Sequence, residues 1–241
     1  TNTDYYGEIS NFGDTVNTNL SNNDDSAING ICFAGGSLLG EEAIVGVSKG
    51  IFKKSNYTTW QYVAGAIIYS GNLSRNKIYP DLKLGEFAYN NLSKNSFPLG
   101  QAGAGCSAGA GQYGQGCAYK ELDNGIKILI FTVLNAVGDI YDNDGKLYKT
   151  KNKKSNKKGR NTTLTLFVTN VDLSHPHLKQ LVNQVHTSMS RWIRPYNTLF
   201  DGDTFFGVTK QTLKLQFTKP IWVEFLKESE QLMGETILSA C

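Results

Sequence analysis

Two carboxylates separated by a single glycine, Asp201 and Asp203 in "FDGDTFF", form a pair suited to acid–base work. On an extended backbone they project to the same side, roughly 6 to 7 Å apart along the chain, and Gly202 lets another backbone or a substrate come close. Two acids so placed repel unless something neutralises or uses them. An acidic turn is the plain alternative. A second unusual point lies upstream in "KKGRNTTLTLFVTN", residues 157–170. Lys157, Lys158 and Arg160 cannot be buried cheaply, whereas Leu164, Leu166 and Val168 alternate with Thr163, Thr165, Phe167 and Thr169 in a run of β-formers. The character of the chain changes at Asn161 and Thr162.

Other candidate motifs are weaker. In "LGQAGAGCSAGAGQYGQGCA", residues 99–118, Gly103, Gly105 and Gly109 give GxGxxxG and no Gly-Lys-Ser/Thr follows, so the spacing of a phosphate loop is missing. The segment reads as a tight loop, too rich in glycine for regular structure. "DIYDNDGK" puts Ile140 at the first position of a calcium loop and Lys151 at the twelfth, and reads as an Asn-Asp-Gly turn. His175, His177 and His186 lie on or beside one predicted helix without HExxH spacing, and are expected as surface or capping residues. No GxSxG elbow offers a serine nucleophile. Asn135, in "LNAVGDI", reads on its own as a satisfied polar group in a buried strand.

The elements that must position these residues alternate. Strands are predicted at 30–34, 62–70, 126–140, 162–169 and 204–209, and helices at about 39–52, 81–92, 176–192 and 220–239, which makes the class α/β. Residues up to Ser26 are polar and read as a poorly ordered or edge segment. With 241 residues and 40% hydrophobic content, the chain can bury a real core. Its apolar runs fall short of the roughly 20 residues a membrane span needs, so a soluble protein is expected. No signal-like segment opens it, and Cys32, Cys106, Cys117 and Cys241 show no CxxC spacing, which reads as reduced thiols in a cytoplasmic protein. The net charge is +3, yet eight Lys or Arg and no acid fall between Lys146 and Arg160. With only Tyr148 available for stacking, that block reads as a flexible surface linker over 146–160, not a nucleic-acid site.

Taken in order, "FAGGSLLGEEAIVGV", "YPDLKLGEFAYNNL", "GQAGAGCSAGAG", "LNAVGDI", "NTTLTLFVTN" and "FDGDTFFGVT" resemble the DmpA-type aminopeptidase family, which includes β-peptidyl aminopeptidases and endo-type 6-aminohexanoate oligomer hydrolases. The resemblance is strongest to the latter, because Thr162 follows Asn161 and Asp-Gly-Asp comes later in the same register. It implies a four-layer α/β/β/α sandwich of the kind shared with ornithine acetyltransferases. It also implies a precursor that cuts itself into a large subunit, 1–161, and a small one, 162–241, which stay associated as one structural domain. Leu39 stands where the family often has an aromatic, and Gln112 where it commonly has a lysine.

By that resemblance Thr162 is the nucleophile and Asn161–Thr162 the cleavage site. The Thr162 hydroxyl would attack the Asn161 carbonyl, and the freed α-amine, with an ordinary pKa of about 8, would then serve as base for its own hydroxyl. Asp201 and Asp203 would orient Thr162 and relay its proton, and Asn135 would donate its side-chain amide to the oxyanion. No cofactor and no metal is implied. The substrates would be small linear amides such as short peptides, β-peptides or aminohexanoate oligomers, and the assembly a homo-oligomer of processed pairs, possibly a tetramer. An acyltransferase of the ornithine acetyltransferase type and an unprocessed binding protein are the alternatives. No nucleic acid and no membrane partner is expected.

Overall fold

A computed structural model describes residues 5–11, 18–19, 27–58, 62–69, 78–94, 96–150 and 161–241. In chain order its strands are β1 (Tyr5–Asn11), β2 (Thr18–Asn19), β3 (Ala27–Ile28), β4 (Gly30–Ala34), β5 (Val63–Ile67), β6 (Gln115–Glu121), β7 (Lys127–Val133), β8 (Asp139–Tyr141), β9 (Leu147–Lys149), β10 (Leu164–Val171), β11 (Ile193–Arg194) and β12 (Thr204–Leu213). The helices are α1 (Glu41–Lys54), α2 (Leu82–Asn90), α3 (His175–Ser188) and α4 (Lys219–Ser239).

Of three sheets among the described residues, β11-β8-β9 stands apart, and the other two lie face to face with helices outside both. The larger has the order β3-β1-β12-β10-β7-β6, and the smaller β2-β5-β4. The alternation of strand side chains shows which layer each residue serves. In β5, Val63 and Ile67 pack with Ile44 of α1, whereas Ala64 and Ala66 join the main core against the larger sheet. In β12, Phe206 meets Phe33 of β4 across the sheets, while Phe205 packs at a tilt against His186 of α3. Phe167 of β10 meets Phe225 of α4. The layers are therefore α1/α2, small sheet, large sheet and α3/α4, the expected α/β/β/α arrangement.

Local chemistry accounts for the helix ends. Asp81 caps α2 by accepting the Leu84 N–H at 2.8 Å, and Pro lies in the first turn of both α3 and α4. The outer helices pack very closely: a Cβ on Gly85 of α2 would lie 2.0 Å from the Ala43 carbonyl oxygen of α1. Lys53 pairs with Glu86 across the same seam.

Several expectations need correction. The polar opening segment is not without structure: it contains β1, which pairs antiparallel with β12 and, near the sheet edge, with the two-residue strand β3. Residues 1–4, 12–17 and 20–26 of that segment lie outside the described ones. The glycine-dense loop forms a 3-10 helix over Gly103–Gly111 and then runs directly into β6. The long strand expected over 126–140 breaks after Val133, so Asn135 sits in the turn-out. The basic linker is structured at its start. Leu147–Lys149 forms β9, and Lys149 Nζ donates to the carbonyls of Gln112 at 2.5 Å and Cys241 at 2.6 Å. Residues 151–160 lie outside the described ones. Asp142 to Gly145 forms the expected turn, with Asp142 Oδ1 accepting the N–H groups of Asp144 and Lys146. No helix of the described residues is long and apolar enough to cross a membrane.

Candidate active site

Strand β10 lies parallel to β12 and antiparallel to β7, so Leu164 sits level with Thr204 on one side and Val133 on the other. Thr132 Oγ1 and Thr165 Oγ1 lie 3.1 Å apart across the β7 seam. The pairing runs on upstream of β10. Asn161 bridges Asp201 in parallel, donating its N–H to Phe200 O at 3.1 Å and accepting from Gly202 N–H at 2.8 Å. On the β7 side, Thr162 N–H donates to Asn135 O at 3.0 Å. The Asn161–Thr162 peptide is thus held edge-on between two strands, its carbonyl toward one and its N–H toward the other.

One rung of this ladder is altered. Continuing the parallel pattern would send Thr163 N–H to the Gly202 carbonyl. It donates instead to Asp203 Oδ1 at 2.6 Å, while Thr163 O keeps its bond from Thr204 N–H at 3.0 Å. The displaced Gly202 carbonyl accepts from Thr204 Oγ1 at 3.0 Å. A carboxylate has been inserted into the sheet one residue beyond Thr162. Phe167 and Phe205 mark their parity as the face toward α3 and α4, which carries Thr163, Asp201 and Asp203 with it. By the same alternation Thr162 falls with Leu164 on the side of the small sheet.

Asp201 and Asp203 are each 1% exposed. Thr198 supplies both its N–H and its hydroxyl to Asp201 Oδ2, each at 2.8 Å, which fixes the orientation of that carboxyl. Burial, and then the neighbouring Asp201 charge, hold the Asp203 carboxyl well above the usual carboxylate range, against the opposing donors Thr163 and Asn197. Asn197 presents its N–H from a left-handed backbone at φ 52°, a conformation asparagine tolerates. Behind the pair, Tyr196 donates to Met189 Sδ at 3.1 Å. Burial and both carboxylates push its phenol well above 10. His186, edge-on to Tyr196, is 1% exposed and burial lowers its pKa to about 3. It is a neutral core residue, not the surface histidine expected.

Asn135 is 3% exposed and ties three segments together. Its carbonyl holds Thr162, its Oδ1 accepts the Gly109 N–H at 2.8 Å, and its Nδ2 donates to Tyr69 O at 3.3 Å. Gly109 is required there: its φ is +55°, and a Cβ would lie 2.4 Å from the Tyr113 ring. The glycine loop therefore serves to lay a backbone N–H on Asn135. Thr162 is 7% exposed, and the main-chain bonds around it bring together the residues singled out from sequence: Asn161, Thr162, Asn135, Asp201 and Asp203.

Three contributors were not picked out by sequence reading. Thr163 and Asn197 act through main-chain N–H groups, which leave no side-chain signal. Thr198 could have been found, since Thr three residues before Asp is a local hydrogen-bonding pattern. The burial of His186 was also readable, because it continues the stripe of Leu178, Val182 and Val185.

The Peptidase family S58 profile matches residues 8–239. The chain belongs to peptidase family S58. Among curated relatives, the 6-aminohexanoate-oligomer endohydrolases of Kocuria sp. (strain KY2) and Paenarthrobacter ureafaciens are each 35% identical to it over a region covering 78% of this chain and 62% of theirs. This S58 chain thus spans 62% of the length of those relatives. Among solved structures, a Burkholderia sp. beta-aminopeptidase superposes with a TM-score of 0.76 at 11% identity, covering 99% of this chain and 74% of that one. The L-aminopeptidase D-Ala-esterase/amidase of Ochrobactrum anthropi, described as a variant of the Ntn hydrolase fold, gives 0.72 at 15% identity, covering 98% and 72%. The S58 chain shares that fold.

Proposed function

We propose that this S58 protein is an amide-bond hydrolase that matures by cutting its own chain between Asn161 and Thr162, with Thr162 as nucleophile in both reactions. The observation that carries the reading is the Asn161↔Asp201 bridge, which sets the Asn161–Thr162 peptide beside the two buried carboxylates. In the first reaction Thr162 Oγ1 bonds to the Asn161 carbonyl carbon, the C–N bond breaks, and the nitrogen takes up a proton. Water then hydrolyses the ester, leaving the Asn161 carboxylate and a threonine with a free amine and hydroxyl. That amine adjoins the Thr163 amide held by Asp203. Asp203, with its raised proton affinity, is suited to give and take the proton in transit, and Asp201 to hold the balancing charge. Asn135 Nδ2, with only a 3.3 Å bond to Tyr69 O, is suited to turn to a substrate oxyanion.

The substrates are linear amides, a class that includes those named for the similar relatives. The processed pair forms the unit of a homo-oligomer. The four cysteines are free thiols, which supports a reducing, cytoplasmic setting. Denaturing electrophoresis and intact mass measurement test the reading. The wild type should resolve into fragments 1–161 and 162–241 that together hydrolyse an aminoacyl anilide or aminohexanoate oligomer. Thr162→Ala should give one uncut, inactive chain. Scission or hydrolysis in that variant would refute the assignment.

A further inference from the structure

Resting on that reading, we infer that the backbone N–H of Gly202 is the oxyanion donor for the scission of the chain. The oxygen it holds, at 2.8 Å, is that of Asn161, on which negative charge collects when the Thr162 hydroxyl adds to the carbonyl carbon. The peptide cannot turn away, because Asn161 N–H is bonded to Phe200 O and Thr162 N–H to Asn135 O. With both edges of the peptide plane pinned in the sheet, its faces are left open to a hydroxyl that leaves the strand along the sheet normal, as a strand side chain does. Addition then converts an ordinary amide hydrogen bond into one to an oxyanion, which is roughly twice as strong. The interaction therefore grows in the transition state, the condition for accelerating the step rather than only binding the ground state.

The altered rung explains how this donor is fixed. Asp203 takes the Thr163 N–H that the Gly202 carbonyl would otherwise accept, and Thr204 Oγ1 takes that carbonyl. The Gly202 peptide groups are thus anchored on both sides: N–H on Asn161 O, carbonyl on Thr204. The glycine between the two acids is a catalytic residue for maturation in its own right, through its main chain. In balance, the Thr162 Oγ1–C bond forms, the Asn161–Thr162 C–N bond breaks, the hydroxyl proton passes to the departing nitrogen, and water supplies the atoms for ester hydrolysis. Gly202 N–H neither gains nor loses a proton.

The test is the rate of scission after synthesis of the whole chain in a cell-free system, followed by gel and mass. Two variants lack the donor: Gly202→Pro, and a semisynthetic chain with the Gly202 main-chain nitrogen replaced by oxygen. The second keeps the size and shape of the glycine and decides the matter if the proline variant does not fold. Each folded variant should cut about 10² to 10³ times more slowly than the wild type. In the proline variant hydroxylamine, which cleaves a preformed ester, should not restore the rate of cutting at Asn161–Thr162, because ester formation is the impaired step. A folded oxygen-substituted chain cutting within about threefold of wild type, a change far below that expected for a lost oxyanion donor, would overturn the inference. Rescue by hydroxylamine would overturn it as well. Cutting of Thr162→Ala, or a wild type cut elsewhere, would instead defeat the underlying reading of Thr162.

Discussion

Replacing Asp203 by Asn should make the protein more stable at neutral pH and much slower to mature. The substitution keeps a carbonyl oxygen for the Thr163 N–H but removes a charge that burial and Asp201 both disfavour. Exchanging a charged acceptor for a neutral one costs about 1 kcal/mol. Against this, each tenfold change in the carboxyl's acid constant is worth about 1.4 kcal/mol. Because the folded carboxyl binds its proton more tightly than the unfolded one, its favourable contribution is complete below about pH 4, the ordinary aspartate range. It is lost as pH rises toward the folded value. The melting temperature of Asp203→Asn minus that of the wild type should therefore grow between pH 4 and pH 8. Over the same range scission should slow by about 10² to 10⁴, the usual worth of positioned acid–base help. Thermal melts across pH, with gels of the same samples, read both. A melting difference that stays constant from pH 4 to 8, or scission at the wild-type rate, would refute the reasoning about this carboxyl.

Two further outcomes follow from the surroundings of the pair. His186 has its folded pKa lowered to about 3 from an ordinary 6.5, so its contribution to stability is present above 6.5 and is lost as pH falls toward 3. The loss approaches about 5 kcal/mol at the acid end; chemical denaturation of wild type and His186→Phe at pH 4 and pH 7 should show the variant much less sensitive to acid. Asn135→Ala leaves the buried Gly109 N–H without its acceptor, which should lower stability by about 1 to 3 kcal/mol. The turnover of processed enzyme should fall as well; an unchanged kcat with intact folding would remove Asn135 from the oxyanion role.

The alternation of strands and helices could be read from the sequence where elements are long and strongly patterned, whereas the four-layer stacking was implied by the family resemblance. The run of β-formers after Thr162, the capping Asp81 and the helix-opening prolines each announce their element by local chemistry. The strand β1 does not. Tyr5–Asn11 carries no clear apolar alternation, and its pairing with β12 is a contact between distant parts of the chain that no local pattern announces. The linker expected from charge alone was too long by β9, since Lys149 finds two carbonyls that no local pattern could reveal. The same division applies to the site. The paired acids Asp201 and Asp203 stood out as side chains, and the family resemblance singled out Thr162 and Asn135, whereas the donors contributed by Gly202, Asn197 and Thr163 depend on strand register. Sequence gave the polarity of the pair, but only the fold shows Asp203 entering the sheet.

The order of the large sheet carries a consequence for how a cut chain would behave. Strands β12 and β10, both downstream of Thr162, lie at its centre, with β1 hydrogen-bonded on one flank and β7 on the other. The shorter piece alone would expose two raw sheet edges, an invitation to aggregate. The longer piece alone would be left with its β1 and β7 ribbons separated by a gap two strands wide. Making the halves from separate genes should therefore yield insoluble material unless they meet while folding, and a broken chain would melt as one cooperative body instead of two.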